Sequence, residues 1–72
     1  MDNNEIKRTV ADNIRLERLR NRFTQEELAE KSEISFKYLN MIEKYKANPS
    51  ITIVIRICRA LGVDLNTIYP LN

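Results

Sequence analysis

Helix-start signals recur so closely along this chain that only short helices fit between them. Thr24 and Glu27 have the spacing of a capping box, in which the Thr24 hydroxyl accepts from the Glu27 N–H and the Glu27 carboxylate reaches back. Phe23 and Leu28 flank this box at the spacing of a hydrophobic staple. The pattern therefore predicts a short helix over Gln25–Lys31.

Similar signals mark two further helices. Ser35 can cap a helix over Phe36–Lys44, and Asp64 can cap a last helix over Leu65–Tyr69. Apolar residues flank each of these caps at staple positions. Short capped helices are therefore the expected building blocks of the fold.

The first segment has the apolar spacing of a longer helix. Asn3 or Asn4 can cap this helix, which is expected to end near Asn21. The apolar residues at spacings of three and four, which predict its inward face, are Ile6, Val10, Ala11 and Ile14. Leu16 and Leu19 lie off this face, which predicts that the helix touches more than one neighbour.

The segment Ile51–Ile57 is rich in β-branched residues and partly alternates, so it also fits a strand. A lone strand would have no partner. Ser50 as a cap and Gly62 as a left-handed stop instead delimit a fourth helix. Its inward stripe is expected to contain Val54, Ile55, Cys58 and Leu61. We therefore predict an all-α chain.

The composition excludes several classes of function. With 72 residues, the chain is expected to form a single domain over 1–72, with its core at about 6–69 and a loose N-terminus over 1–5. It has no His, one Cys and one Gly. Metal clusters, Cys–His pairs and Gly-rich phosphate loops are therefore not expected, and we predict no enzyme, no cofactor and no metal. One Cys excludes an internal disulfide, and no apolar run exceeds three residues, so no membrane span and a cytoplasmic location are expected.

Basic residues are concentrated in the second half of the chain. The net charge is +2 for the whole chain but +4 over 36–59. There Glu43 is the only acid, and the basic residues are Lys37, Lys44, Lys46, Arg56 and Arg59. This distribution suits a face turned toward an anionic partner, and a solvated mixed-charge surface is the alternative.

Only residues 32–35 separate the second predicted helix from the third. A connection this short sets two helices at a large angle, as in a helix-turn-helix unit. Ala29 is small enough to let the later helix pack closely against the earlier one. An ordinary helical hairpin within a bundle is the alternative.

The stretch from Ile14 to Tyr69 resembles the phage repressor and Cro-like helix-turn-helix domain, called the XRE family. The motifs that carry the resemblance are, in order, Ile14-Arg15-x-x-Arg18, Thr24-Gln25-Glu26-Glu27-Leu28-Ala29, Ile34-Ser35, Tyr38-Leu39, Ile42-Glu43, Asn48-Pro49-Ser50 and Ala60-Leu61-Gly62-Val63. The resemblance implies a compact five-helix domain whose helices 2 and 3 form the helix-turn-helix. It also implies a repressor-type transcriptional regulator that binds double-stranded DNA as a homodimer, on a near-palindromic operator. A protein-interaction module, such as an antitoxin component, is the alternative.

Three residues depart from the family pattern. Glu33 stands where the turn usually has Gly, so it must tolerate a left-handed or strained backbone at some cost. Tyr45 stands where a second Gly is common, so the third helix is expected to continue or to end differently. Glu17 stands where the first helix generally has an apolar residue, which leaves the packing register of that helix open.

The third helix would read DNA in the major groove with the face opposite its core residues. Lys37 can donate to guanine, and Asn40 can pair with adenine. Phe36 and Met41 are apolar yet outward, which suits thymine methyl groups, and core packing or a subunit contact is the alternative. The residues expected to face bases are Ser35, Phe36, Lys37, Asn40 and Met41.

A second set of residues is expected to hold phosphates or to orient the reading helix. Correspondence with the family suggests phosphate contacts from Thr24 and Gln25, although Thr24 can also serve only as a cap. The remaining phosphate candidates are Tyr38, Lys44, Lys46 and Asn48. Arg18 and Glu43 resemble an ion pair that joins the first helix to the end of the reading helix.

The end of the chain is apolar enough to suggest a subunit contact. The residues expected to form a dimer interface are Leu65, Ile68, Tyr69 and Leu71. A two-fold pair would place two reading helices about 34 Å apart, which is one turn of DNA. Closing the core of a monomer is the other use of these side chains.

Overall fold

The computed structural model describes residues 2–69, which form α-helices joined by short turns. The helices are α1 (Asn3–Arg20), α2 (Gln25–Ser32), α3 (Phe36–Glu43), α4 (Ile51–Leu61) and α5 (Leu65–Ile68). Residues 2–69 contain no strand, and the expected all-α architecture with five helices is confirmed. Over the same range no helix combines the length and the apolar character that a membrane crossing needs.

The first helix begins earlier than expected. Asp2 is its N-cap, because Asp2 Oδ1 accepts a hydrogen bond from the Glu5 N–H at 2.8 Å. The prediction of a cap at Asn3 or Asn4 is therefore wrong, and residues 3–5 form the first turn of α1 rather than a loose end. An Asp carboxylate caps a helix as well as Asn does, and its charge also favours the positive helix end.

The fourth helix settles the choice between strand and helix. At its start Ser50 Oγ accepts from the Ile53 N–H at 3.3 Å, and Gly62 ends it with a φ of 70°. The buried residues of α4 are Val54, Ile57, Cys58 and Leu61. Ile55 is 38% exposed, so its assignment to the inward stripe is wrong. At about 3.6 residues per turn, the buried positions share one side of the helix and Ile55 falls at its margin.

The helices α1 to α4 each end beside a residue with a left-handed backbone. The chain has one Gly, Gly62, but Arg22, Glu33 and Tyr45 also have positive φ, of 59°, 58° and 65°. The N–H of each of these residues donates to the carbonyl three positions earlier. The N–H of the residue that follows donates to the carbonyl five positions before it. This pair of bonds is the Schellman motif. The left-handed backbone expected at Glu33 is confirmed, and Tyr45 stops α3 at Glu43, one residue earlier than expected.

One hydrophobic core joins the helices. Its buried members among the described residues are Val10, Ile14, Leu28, Ala29, Leu39, Ile42, Val54, Ile57, Cys58, Leu61 and Ile68. Helix α2 packs against both α3 and α4, α4 packs against α5, and α1 contacts α3, α4 and α5. As expected, α1 touches more than one neighbour. Leu16 and Leu19 take no part in this packing, since they are 46% and 52% exposed.

Candidate nucleic-acid interface

The outward face of α3 carries the residues that the sequence assigns to base contacts. Phe36 is 47% exposed and Lys37 is exposed, while Asn40 and Met41 are partly buried. The other side of the helix packs on the core. An α-helix of eight residues is about 12 Å long, and its diameter fits the major groove of DNA. The face is therefore available to a duplex without any rearrangement of the core.

Two residues expected at the interface are helix caps. Ser35 Oγ accepts from the Tyr38 N–H at 3.0 Å, at the start of α3. Thr24 Oγ1 accepts from the Glu27 N–H at 3.0 Å, and the Thr24 N–H donates to Glu27 Oε1 at 2.9 Å, which completes the capping box. The bond from the Thr24 N–H lowers the pKa of the Glu27 carboxyl. Both hydroxyls keep their own proton, so each can cap its helix and still donate outward.

A buried fork connects α1 to the end of α3. Arg18 Nε donates to Glu43 Oε2 at 2.9 Å, and Arg18 Nη2 donates to Glu43 Oε1 at 3.0 Å. The side chains of Arg18 and Glu43 are only 11% and 3% exposed. Arg18 Nη1 also donates to the Phe23 carbonyl at 2.9 Å. The structure thus brings together the two residues of the expected ion pair and ties both to the loop before α2.

The fork continues through two amide side chains. Gln25 Nε2 donates to Glu43 Oε1 at 3.1 Å, and Asn40 Nδ2 donates to Gln25 Oε1 at 3.0 Å. The first residue of α2 thus connects the buried carboxylate to the partly buried face of α3. The sequence suggested separate contacts with DNA for Gln25 and Asn40 and gave no indication that they bond to each other. Their positions, 15 residues apart, meet only because α2 and α3 cross.

The loop after α3 presents the other candidates for phosphate contacts. Lys44, Lys46 and Asn48 are exposed. The Lys46 N–H donates to the Met41 carbonyl at 2.8 Å. This bond fixes the start of the loop to α3. Tyr38 is partly buried and packs against the core. The basic side chains of this loop are therefore free to approach a phosphate backbone beside the reading face.

Sequence reasoning missed a contact that secures the end of α3. The Tyr45 hydroxyl donates to Asp12 Oδ1 of α1, and the Arg8 guanidinium lies 5.1 Å from the centre of the Tyr45 ring. The bond to Asp12 raises the pKa of the Tyr45 hydroxyl, so the donor proton is retained. Arg15 was also missed, and it lines a depression beside the fork. No local pattern signals these contacts, because they depend on how α1 lies across the turn.

Comparison with known proteins identifies the family. A family model described as Helix-turn-helix matches residues 14–68. The chain belongs to this helix-turn-helix family. The resemblance to the phage repressor and Cro-like domain is thereby confirmed, and family membership is also what supports the prediction that the chain is not an enzyme.

Two known proteins are similar to this helix-turn-helix chain, one in sequence and one in fold. It is 37% identical over 60 residues to the immunity repressor protein of Bacillus phage phi105, an alignment that covers 83% of this chain and 42% of that repressor. The chain thus spans less than half the length of that relative. A crystal structure of a hypothetical transcription factor, NHTF from Neisseria, superposes with a TM-score of 0.86 at 24% identity, covering 96% of this chain and 80% of that one. At this identity the superposition shows a shared fold.

The helix-turn-helix domain accommodates its remaining departure within α1. Glu17 is 8% exposed and continues the buried stripe of Val10 and Ile14. Its Oε2 accepts from Arg20 Nη1 at 2.8 Å, and the Arg20 side chain is 64% exposed. The packing register of α1 is therefore kept, because the carboxylate turns from the core toward a solvated partner.

The C-terminal residues of the helix-turn-helix domain divide between core and surface. Ile68 has no exposed area, and its carbonyl accepts from Asn13 Nδ2 at 3.0 Å. Ile68 therefore closes the core of the monomer, which was the alternative to a subunit contact. It does so because α5 packs against α1 and α4. Leu65 and Tyr69 pack against the core but stay partly exposed. Leu71 lies outside the described residues.

Proposed function

We propose that this protein is a transcriptional regulator that binds double-stranded DNA with α3 in the major groove. The observation that carries the proposal is an outward face of α3 whose position is fixed from beneath by the buried fork of Arg18 and Glu43. A rigid reading helix keeps its side chains in register with base edges, which sequence-specific binding requires. The family and the phage repressor among its relatives support the same function.

Base contacts belong to the residues at the start and middle of α3. The Lys37 ammonium can donate to guanine O6 or N7, and the Asn40 amide can pair with adenine N6 and N7. Phe36 is 47% exposed, which suits contact with a thymine methyl group. Ser35 and Met41 flank these side chains on the same face.

Phosphate contacts come from two sites on either side of α3. The N-terminus of α2 offers the Thr24 hydroxyl and the Gln25 N–H, and the positive end of the helix dipole there attracts an anion. The loop after α3 offers the exposed groups of Lys44, Lys46 and Asn48, with the Tyr38 hydroxyl nearby. These contacts would position α3 without reading sequence. A chain that acts on operator DNA in this way works in the cytoplasm.

The proposal includes a homodimer on a near-palindromic operator. One short helix covers few base pairs, and two-fold pairing doubles the site. Leu65 and Tyr69 are the described apolar residues of α5 and its C-cap that remain partly exposed. Sedimentation equilibrium should give twice the chain mass for the wild type and a shift toward monomer for Tyr69→Asp. A Tyr69→Asp variant that keeps the wild-type mass distribution would remove this surface from the dimer.

The proposed interface is tested with two lysine variants on duplexes that the wild-type chain enriches from a random pool. Lys37→Ala should lose roughly 5- to 150-fold in affinity for the enriched site and relax the preference at one base position. Lys46→Ala should weaken binding to every duplex alike and lower the slope of log K against log salt by about 0.9. Lys7→Ala, in α1, is the matched control and should match the wild type.

The same experiment separates the proposed function from the alternative. If the wild-type chain enriches no sequence, the DNA-reading proposal fails and a module for protein binding, such as an antitoxin component, becomes the better explanation. If Lys37→Ala loses affinity equally on all duplexes, Lys37 is a phosphate contact and not a base contact.

A further inference from the structure

We propose that Gln25 is a positioning residue that sets the direction in which the Asn40 amide faces the bases, and so sets base preference from outside the groove. The inference rests on the proposed function and deepens it. It arises from the bonds that run from the buried Glu43 carboxylate through Gln25 to Asn40. In this role the Gln25 side chain contacts α3 and not a phosphate.

The chain of bonds has a fixed direction because its inner end cannot exchange roles. The guanidinium of Arg18 can only donate, and the Glu43 carboxylate can only accept. Glu43 Oε1 receives Arg18 Nη2 at 3.0 Å and Gln25 Nε2 at 3.1 Å. The nitrogen of the Gln25 amide must therefore face Glu43, which leaves the Gln25 oxygen facing α3.

The direction is passed on to the reading face. Gln25 Oε1 accepts from Asn40 Nδ2 at 3.0 Å, so the nitrogen of the Asn40 amide is turned toward α2. Asn40 Oδ1 and the second N–H of Asn40 Nδ2 remain for a ligand. A reversed Asn40 amide would set its oxygen against the Gln25 oxygen, and one partly buried acceptor would lose its donor. Asn40 is therefore held with its carbonyl available to DNA.

This direction predicts which bases suit the position under Asn40. Adenine presents the N6 donor and the N7 acceptor, which match the free oxygen and the free N–H together. Cytosine presents the N4 donor, which matches the oxygen alone. Guanine and thymine present only acceptors, which can match the free N–H but would set an acceptor against the Asn40 oxygen, so both are disfavoured. Without Gln25 the Asn40 amide can rotate by half a turn, and the discrimination of adenine from guanine and thymine weakens.

The test is Gln25→Leu, which removes both polar groups and leaves an apolar side chain one bond shorter. Its affinity is measured on the enriched duplex and on the three variants at the base position where Asn40→Ala changes the preference. Gln25→Leu should lose roughly fivefold or more of the discrimination between adenine and guanine there. Discrimination at the base read by Lys37 should be unchanged. Asn4→Leu, which removes an exposed amide of α1, is the matched control and should discriminate as the wild type does.

A double-mutant cycle makes the result specific to positioning. If Gln25 acts through Asn40, then Gln25→Leu should have no further effect on base preference once Asn40→Ala is present. Equal weakening on all four duplexes, with the wild-type preference kept, would overturn the proposal and make Gln25 a phosphate contact. Urea unfolding of each variant verifies that the chain is folded during the measurement.

A measurement without DNA distinguishes failure of this proposal from failure of the proposed function. In the free protein, the two side-chain amide protons of Asn40 should show an NMR shift change on Gln25→Leu that is absent on Asn4→Leu. If the Asn40 amide signals are unchanged, the positioning role is overturned even when the wild type reads DNA. If the amide signals move but the wild type has no base preference, the proposed function is overturned, and the role in selectivity with it.

Discussion

The buried fork makes a quantitative prediction about stability. Arg18→Met keeps the aliphatic stem but removes two bonds to Glu43 and one to the Phe23 carbonyl. The Glu43 side chain, 3% exposed, would then keep Gln25 as its only donor among the bonds described. Leaving a buried charge without its partner costs about 3–5 kcal/mol. The free energy of unfolding of a chain of 72 residues is about 4–11 kcal/mol, so the variant should lose about a quarter of its stability or more.

Removing the other partner should cost less. Glu43→Gln keeps the shape of the side chain and one acceptor oxygen, so the expected loss is about 2 kcal/mol. In the double variant no buried carboxylate remains without a partner. Its loss should therefore fall short of the sum of the single losses by about 1–3 kcal/mol. We also expect Glu43→Gln to weaken DNA binding, because α3 is no longer held in one orientation.

The assay is urea unfolding at pH 7, monitored by far-ultraviolet circular dichroism. The wild type, the two single variants and the double variant are measured together. Should Arg18→Met be unfolded without urea, Arg18→Lys replaces it in the cycle, since Lys keeps the charge but not the fork. Losses that add within about 0.5 kcal/mol would show that Arg18 and Glu43 are not coupled. The claim that the fork positions α3 would then be refuted.

Three further predictions concern single residues. Ser32 is 1% exposed, and its hydroxyl has no hydrogen-bond partner within residues 2–69. Ser32→Ala should therefore stabilise the fold by about 1 kcal/mol. An unchanged or lower melting temperature would contradict this. Glu33→Gly should raise the free energy of unfolding by about 0.5–1 kcal/mol. The reason is that relief of the left-handed backbone at Glu33 outweighs the freedom that Gly adds to the unfolded chain. A lower free energy of unfolding in urea would disprove this. The lowered pKa of Glu27 means that its capping contribution is present above the ordinary pKa of Glu and is lost as pH falls through the folded value. Wild-type melting temperature should therefore fall more steeply between about pH 5 and 3 than that of Glu27→Gln, and parallel curves would exclude this role.

Local signals along the chain were sufficient for the helices and for the turn between α2 and α3. The capping box at Thr24 and Glu27 is present in full, because both of its bonds lie within one helical turn. Ser50 and Gly62 delimited α4 correctly against the β-branched run between them. Errors of local origin were small, such as the cap at Asp2 instead of Asn3.

Prediction failed where the outcome depended on tertiary packing. Ile68 looked equally suited to a subunit contact and to the core, and the position of α5 against α1 buries it. The bond between Gln25 and Asn40 exists only because two helices cross at that point. Local capping and helix-stop signals thus predict the helices, while the candidate site is formed where α2 and α3 cross.

The central claim is that the outward face of α3 touches the bases of DNA. It is tested most directly by following backbone amide signals in NMR while the enriched duplex is added to the free chain. The largest shift changes are expected over residues 35–44, with smaller ones at Thr24 and Lys46. Changes that leave α3 unaffected and gather around the exposed Leu16 and Leu19 of α1 would contradict it.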